Sequence, residues 1–318
     1  MVEVISFGEP MVEFCATSVG HLKDAPMFKR GWGGDTSNFA VAVARLGHSV
    51  GYMCRVGDDD FGRCLLEMWK KEGIDTTHVI VEKGGYTGIY FIALLEGGRH
   101  EFVYYRKDSA ASHFSPDDID PEYIKQAKVF HTSGITQAIS RSCCEASFKA
   151  IKIAKKNGVL VSYDPNVRLK LWPINLASVI IESTIRMVDV VLPSMEDAKL
   201  ILGCSDPEEA ADRLLKLGPK IVVIKLGERG CFVASRKERF FVPGYKVNVI
   251  DTTGSGDAFD GAFIVKVLEG ADLYDAALFA NIVGALTATG YGAVEPIPKR
   301  DLADKIFKEY KKKVSKCS

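Results

Sequence analysis

The chain has 318 residues with 41 basic and 41 acidic side chains, so no charge excess draws it to nucleic acid or to an anionic membrane. A hydrophobic fraction of 47% suits a large core, and the length suits one large α/β domain or two smaller ones. No apolar run approaches about 18 residues and the N-terminus lacks a charged-then-apolar leader, which excludes a membrane span or secretory signal.

Val2 to Phe7 predicts a short apolar strand ending at Gly8, and Glu9 to Phe14 continues it with polar interruptions. Glu13 reads either as an exposed strand-end carboxylate or as an acceptor for substrate hydroxyls. Trp32-Gly33-Gly34-Asp35-Thr36-Ser37-Asn38 leads into a helix from Phe39 to Leu46, stopped by Gly47. The Gly33-Gly34 pair lets a ligand approach the backbone closely. Asp35, Ser37 and Asn38 bring polar groups to the helix start, and capping accounts for only one of them.

Val50 to Val56 predicts a strand, followed by Gly57-Asp-Asp-Asp60-Phe-Gly62 and a helix from Arg63 to Glu72. Its acids read as caps and surface rather than as metal ligands. Residues 86–114 change character. Tyr86 to Leu95, a turn at Gly97-Gly98, and His100 to Arg106 predict a β-hairpin rich in β-branched and aromatic side chains. With residues 11–30 it would form a small sheet projecting from the main domain. From Val129 onward strands and helices alternate: strand Val129–Ser133, helix Arg141–Lys156, strand Val159–Tyr163, strand Val188–Leu192, helix Glu196–Leu202, strand Ile221–Lys225. That alternation predicts a parallel sheet with right-handed crossovers. Its ligands should bind beyond the C-terminal strand ends, where Asp164-Pro-Asn166-Val-Arg168 and Leu226-Gly227-Glu-Arg-Gly230 fall.

Asp251-Thr-Thr-Gly254-Ser255-Gly256-Asp257-Ala-Phe-Asp-Gly-Ala-Phe263 carries the chemistry. Gly254, Ser255 and Gly256 can turn several backbone N–H groups to one point, and a helix starting near Asp257 adds its positive end, making an anion site. A carboxylate beside an anion site repels the anion unless it does a job, such as taking a proton from an attacking hydroxyl. This reading is phosphoryl transfer to an alcohol, with Asp257 as base. The plainer alternative is a loop-to-helix turn with Asp257 as N-cap. The tail from Lys308 to Lys316 reads as a solvated helix end. The eight cysteines, at 15, 54, 64, 143, 144, 204, 231 and 317, show no C-x-x-C pairing. Cys143-Cys144 reads as two small buried hydrophobes rather than as a metal clip. A soluble, reduced, cytoplasmic protein is expected.

The string D-T-T-G-S-G-D-A-F-x-G-A-F closely resembles the C-terminal signature of the ribokinase-like (PfkB) carbohydrate kinases. G-G-D-T-S-N-x-A-x-A-x-A-R-L-G resembles the sugar-binding signature of the same family, and G-D-D-x-F-G recurs in it. The resemblance covers essentially the whole chain. It implies a single three-layer α/β/α domain over 1–318 with a mainly parallel central sheet, and a small β-sheet lid from about 11–30 and 86–114 that often forms a dimer interface. It also implies that Asp257 is the catalytic base, that Gly254, Ser255 and Gly256 form the anion hole, and that Gly33, Gly34, Asn38 and Glu13 meet the sugar. Ser194, Lys225, Gly227, Gly230 and Asn281 would line the ATP site. The family's N-x-x-E element, which orders Mg2+ through water, falls at Ser194-Met-Glu196-Asp197, with Ser for Asn and Asp for Glu. Asp197 or Glu196 would then hold the metal indirectly. Some relatives also need a monovalent cation such as K+ near Asp251 and Gly290–Gly292.

Tyr104-Tyr-Arg106-Lys-Asp-Ser-Ala-Ala resembles the 2-keto-3-deoxygluconate kinases of the family, whereas its fructokinases tend to carry Asp at the position of Ala111. An acidic sugar needs a charge-assisted clamp. Arg106 and Tyr104 would grip its carboxylate, Tyr90 would pack nearby, and Arg168 would sit near phosphate or substrate or in a surface ion pair. Fructose or another PfkB substrate is the alternative, and a non-catalytic sugar-binding sensor is the alternative of another class. A dinucleotide-dependent dehydrogenase is disfavoured, since no G-x-G-x-x-G follows the first strand.

Overall fold

The computed structural model describes residues 2–96 and 99–314. The Gly97-Gly98 turn, Cys317 and the end of the basic tail lie outside them. Nine strands form one sheet: β1 (Val4–Phe7), β4 (Val50–Gly57), β5 (Val79–Glu82), β8 (Val129–Ser133), β9 (Leu160–Asp164), β10 (Val190–Val191), β11 (Ile221–Lys225), β12 (Gly230–Ser235) and β13 (Arg239–Pro243). Their order is β13-β12-β11-β10-β9-β8-β1-β4-β5. Every neighbouring pair is parallel except β11–β12 and β12–β13. Four more strands, β2 (Met11–Val19), β3 (Phe28–Gly33), β6 (Ile89–Leu95) and β7 (Arg99–Tyr105), form a second sheet in the order β3-β2-β6-β7.

Eleven helices are found among the described residues: α1 (Asp35–Arg45), α2 (Asp60–Glu72), α3 (Pro121–Lys125), α4 (Gly134–Ala138), α5 (Arg141–Lys156), α6 (Ile174–Ile185), α7 (Met195–Leu202), α8 (Pro207–Leu217), α9 (Ser255–Leu268), α10 (Leu273–Thr287) and α11 (Arg300–Val314). Two separate apolar clusters sandwich the large sheet. One collects Phe39, Trp69, Phe263 and Phe279 from α1, α2, α9 and α10. The other collects Ile151, Ile181 and Leu214 from α5, α6 and α8. Strands covered on both faces are apolar on both, which is why β10 and Ile221 to Ile224 of β11 read as continuous hydrophobic runs, while β8 and β9 turn polar only from His131 and at Ser162 and Asp164. Among the described residues no helix is long and apolar enough to cross a membrane.

Three expectations that bear on the site change, besides the earlier start of α2 at Asp60 and the shorter β10. Residues 9–14 do not extend β1. The chain turns at Gly8-Glu9-Pro10 and enters the second sheet, and Gly8 is required there because a Cβ would fall 2.3 Å from Thr36 Oγ1. Helix α1 starts at Asp35, four residues before Phe39, with Gly34 as its N-cap at φ 98°. Helix α9 starts at Ser255 with Gly254 as N-cap, so Asp257 stands in its first turn and is not the cap.

All four crossings between the two sheets meet at Glu9. Its carboxylate pairs with Arg106, just after β7, and accepts from Ser109 Oγ at 3.4 Å. Its carbonyl oxygen lies 2.3 Å from where a Cβ on Gly34 would stand, and its Oε1 lies 3.3 Å from the same point on Gly88.

Candidate functional site

The loop into α9 is shaped from behind. Asp251 accepts through Oδ1 from Thr253 N at 3.0 Å and Thr253 Oγ1 at 2.7 Å, and through Oδ2 from Gly292 N at 3.0 Å. Gly254 adopts φ 76° with Ala293 O only 2.5 Å from the place of its missing Cβ, so no side chain fits. No side chain caps α9, which leaves its first N–H groups turned to the cavity above it, an anion-binding arrangement.

Asp257 projects from that first turn and its Oδ2 accepts from Asn38 Nδ2 at 2.8 Å. Loss of solvent pushes its carboxyl up to about 7, and Asp35 and Asp164 add to the rise against the opposing pull of Asn38 and Lys225. Lys225 lies beneath, 3.7 Å from the place of a Cβ on Gly256. Its ammonium is held by Asp164 at 2.9 Å and by both oxygens of Asp260 at 3.0 Å. Burial and the neighbouring Asp164 raise Asp260 well above the carboxylate range.

A cavity of ≈ 1630 Å³ opens over these groups at the C-terminal ends of the parallel strands. Of the residues expected from sequence, it is lined by Gly34, Asn38, Tyr90, Tyr104, Arg106, Arg168, Ser194, Glu196, Asp197, Lys225, Gly227, Gly254, Gly256 and Asp257. Others stand apart from it. Glu13 is buried behind Tyr90, whose hydroxyl it accepts at 2.5 Å, and it faces a second cavity of ≈ 300 Å³ shared with Gly292 and Glu295. It is thus no exposed strand-end carboxylate; burial raises it to about 7. Gly33 seats the Tyr90 ring, since a Cβ there would stand 2.4 Å from the phenol oxygen. Gly230, at φ 105°, makes room for Val242 O at 2.1 Å. Asn281 donates to Val242 O at 3.2 Å and Pro243 O at 3.1 Å, tying α10 to the end of β13.

Of the two arginines, Arg106 differs from expectation, and Arg168 lines the cavity rather than joining a surface ion pair. Arg106 is no free cation, because Glu9 is paired to it. Among the described residues Arg168 has no carboxylate partner and donates only to its own neighbour, Val167 O, at 3.0 Å. Asp197 is engaged on both oxygens: Oδ1 takes Val167 N at 2.7 Å, and Oδ2 takes Ser194 N at 2.9 Å and Ser194 Oγ at 2.6 Å in a capping box. Glu196 lines the cavity without such ties. No group of three or more candidate metal ligands occurs among the described residues.

Sequence reasoning gave no role of their own to Glu9, Asp164 and Asp260, and offered Asp35 only as one of three polar groups at the start of α1. Asp35 lines the cavity beside Asp257 and accepts from Asn166 Nδ2 at 3.1 Å. The available signal was the density of acids within the motifs themselves, more than capping needs.

Comparison with known proteins agrees with this geometry. The family model described as "pfkB family carbohydrate kinase" matches residues 1–300. The chain is 38% identical to Fructokinase-1 of Oryza sativa subsp. japonica, covering 93% of this chain and 94% of that one. It is 36% identical to 2-dehydro-3-deoxygluconokinase of Thermoproteus tenax, covering 97% and 95%. Among solved structures, a candidate Ribokinase II from E. coli in complex with ATP and Mg2+ superposes with a TM-score of 0.90 at 30% identity, covering 97% of this chain and all of that one.

Proposed function

The chain belongs to the pfkB family of carbohydrate kinases and is an ATP-dependent sugar kinase, and we propose that it phosphorylates 2-keto-3-deoxygluconate on the primary hydroxyl to give the 6-phosphate. The observation that carries this choice is Arg168, a guanidinium on the cavity wall with no acid to neutralise it. A sugar acid supplies that acid, and a planar guanidinium binds a carboxylate through two parallel hydrogen bonds. Tyr104, whose ring lies under Arg106, completes the carboxylate end.

The hydroxyl end is built around Asp257. Asn38 presents a buried Oδ1 with no partner, placed to accept from a substrate O–H beside the carboxylate its own Nδ2 already holds. Asp257 takes the proton of the primary hydroxyl while that oxygen bonds to the γ-phosphorus of ATP. The bond to the β-phosphate oxygen breaks, ADP leaves, and the proton rests on the Asp257 carboxyl. A base near 7 matches this task, since about half of it is ionised at neutral pH and it is still basic enough to accept a proton. The N–H groups of Gly254 to Gly256 stabilise the charge spread over the transferring phosphoryl group. Glu13 acts on substrate through Tyr90, by fixing the phenol's direction.

The donor set fits Mg2+ held through water: Glu196 supplies a hard oxygen on the cavity wall, while Asp197 is spent on its capping box. Bound with the nucleotide, Mg2+ supplies charge neutralisation at the phosphates. A monovalent cation belongs near Asp251, a buried carboxylate against the Gly290–Gly292 loop.

One observation favours fructose as the second reading: Glu9 already neutralises Arg106, and a neutral hexose needs no clamp. The deciding experiment is ATP turnover with Mg2+ on 2-keto-3-deoxygluconate, fructose, ribose, adenosine and a no-sugar control. Turnover of the keto-acid well above the others supports the proposal, and preference for fructose rejects it.

A further inference from the structure

The Arg-Leu-Gly that closes the first signature has no part in the chemistry above, yet Arg45 is among the most heavily bonded side chains in the molecule. Its Nη1 donates to Val294 O at 2.7 Å, Ile297 O at 2.8 Å and Glu295 O at 3.3 Å. Its Nε and Nη2 make a two-pronged bond to Glu72 at 2.9 and 2.7 Å. The side chain is 13% exposed. Three carbonyl oxygens gathered on one guanidinium nitrogen fix a stretch of backbone that has no helix or strand to hold it.

That stretch forms the back wall of the anion loop. Gly292 N holds Asp251, and Ala293 O presses on Gly254 so closely that a Cβ there has no room. One turn earlier, Ala288 O accepts from Ile250 N and Asp251 N at 2.8 and 3.3 Å. The path therefore runs from Arg45, through the backbone of 292–297, to Gly254 and the N–H groups at the start of α9. The same helix reaches the site a second time. Asn38 lies seven residues before Arg45, two turns away and so on one face of α1, and it holds Asp257 directly. Between these grips α1 lies flat on α9, where Gly261 meets Ala42 with 2.9 Å from a would-be Cβ to the alanine methyl.

We propose that Arg45 is a positioning residue for phosphoryl transfer: it clamps the 292–297 backbone that sets Gly254, while Asn38 sets Asp257, so that one helix fixes the anion hole and the base relative to each other. A misplacement of about 1 Å in such a site costs on the order of 10²-fold in rate.

The test is steady-state kinetics with the full-length enzyme on its best sugar, beside thermal unfolding of each variant. Arg45→Met is expected to lower kcat by about 10–100-fold per folded molecule, with the sugar KM within about twofold of wild type and the acid limb of the pH profile in place. Arg45→Lys, which keeps the charge but not the fork, should keep the fold and still lose several-fold in kcat. Glu72→Gln preserves the three carbonyl contacts and should retain wild-type kcat while lowering the unfolding midpoint. Wild-type kcat in folded Arg45→Lys or Arg45→Met overturns the proposal, as does an equal kcat loss in Glu72→Gln.

Discussion

Asn38 Nδ2 and Asp257 Oδ2 meet at 2.8 Å across 219 positions of sequence, joining the first turn of α1 to the first turn of α9. The glycine-rich motif from each end of the chain thus contributes one side of a single contact, and the proposed base is aimed by a residue of the N-terminal motif.

Replacing Asp257 by Asn keeps the shape of that contact and removes the base. Turnover is expected to fall by a factor on the order of 10²–10⁴, while calorimetry should find sugar affinity little changed. Lost sugar binding with saturated turnover intact would place the base elsewhere.

The pH profile of kcat/KM should carry an acid limb near pH 7, with activity rising as Asp257 ionises. Burial and the charges of Asp35 and Asp164 raise this carboxyl, while Asn38 and Lys225 lower it. Asp35→Asn removes a like charge, so the limb should move to lower pH. A limb that stays in place would mean that Asp257 does not govern it.

The two cavity arginines should separate cleanly. Arg168→Ala is expected to raise KM for the keto-acid at least tenfold, the equivalent of about 1.4 kcal/mol, without changing the unfolding midpoint or the KM for fructose. Arg106→Ala strands the buried Glu9 and should cost about 3–5 kcal/mol in stability. Similar effects of the two on KM and on stability would contradict this division.

His131 is buried, stacked on Phe39 at 3.7 Å between ring centres and bonded to Ser162 Oγ at 3.1 Å. Burial, with Lys225 nearby, holds its imidazole down to about 3, below the ordinary 6.5. The unfolded chain therefore binds the extra proton between these values, and stability is present above about pH 6.5 and lost as pH falls towards 3. Between pH 7.5 and 4.5 this amounts to on the order of 2–3 kcal/mol. In urea titrations His131→Phe should lose less stability over that range than wild type, and an equal loss would contradict the assignment.

One face of the second sheet carries Phe28, Phe91 and the 60% exposed Tyr105 in edge contacts, beside Phe14, which stacks on Phe91 and packs on Phe61 of α2. A second copy of the chain is expected to cover this apolar area, which water otherwise meets. Sedimentation at micromolar concentration should give a dimer mass, and a monomer would reject this interface.

The large sheet was legible because its strands are covered on both faces: Val129–Ser133 and Ile221–Lys225 match their predicted limits, as does helix Arg141–Lys156. The place of Asp257 was legible as far as a glycine loop running into a helix at a cavity, and Gly254 rather than Asp257 supplies the N-cap. Long-range pairing was not. Nothing near Glu9 in the sequence announces Arg106, and nothing near Lys225 announces Asp260 as well as Asp164. Gly230 and Gly33 looked like ligand contacts but serve backbone and ring packing, since a glycine demanded by a close approach does not reveal what approaches.

Glu9 gives the molecule a mechanical character. With every crossing between the sheets gathered at one buried residue, a change at Glu9 is felt by all four connections at once. Away from it the second sheet is seated at further points, Phe14 against Phe61 of α2, Arg30 against Cys64, and Phe102 O under Lys170 Nζ. The wall that brings Tyr90 and Tyr104 to the cavity is therefore held both at its root and along its flank.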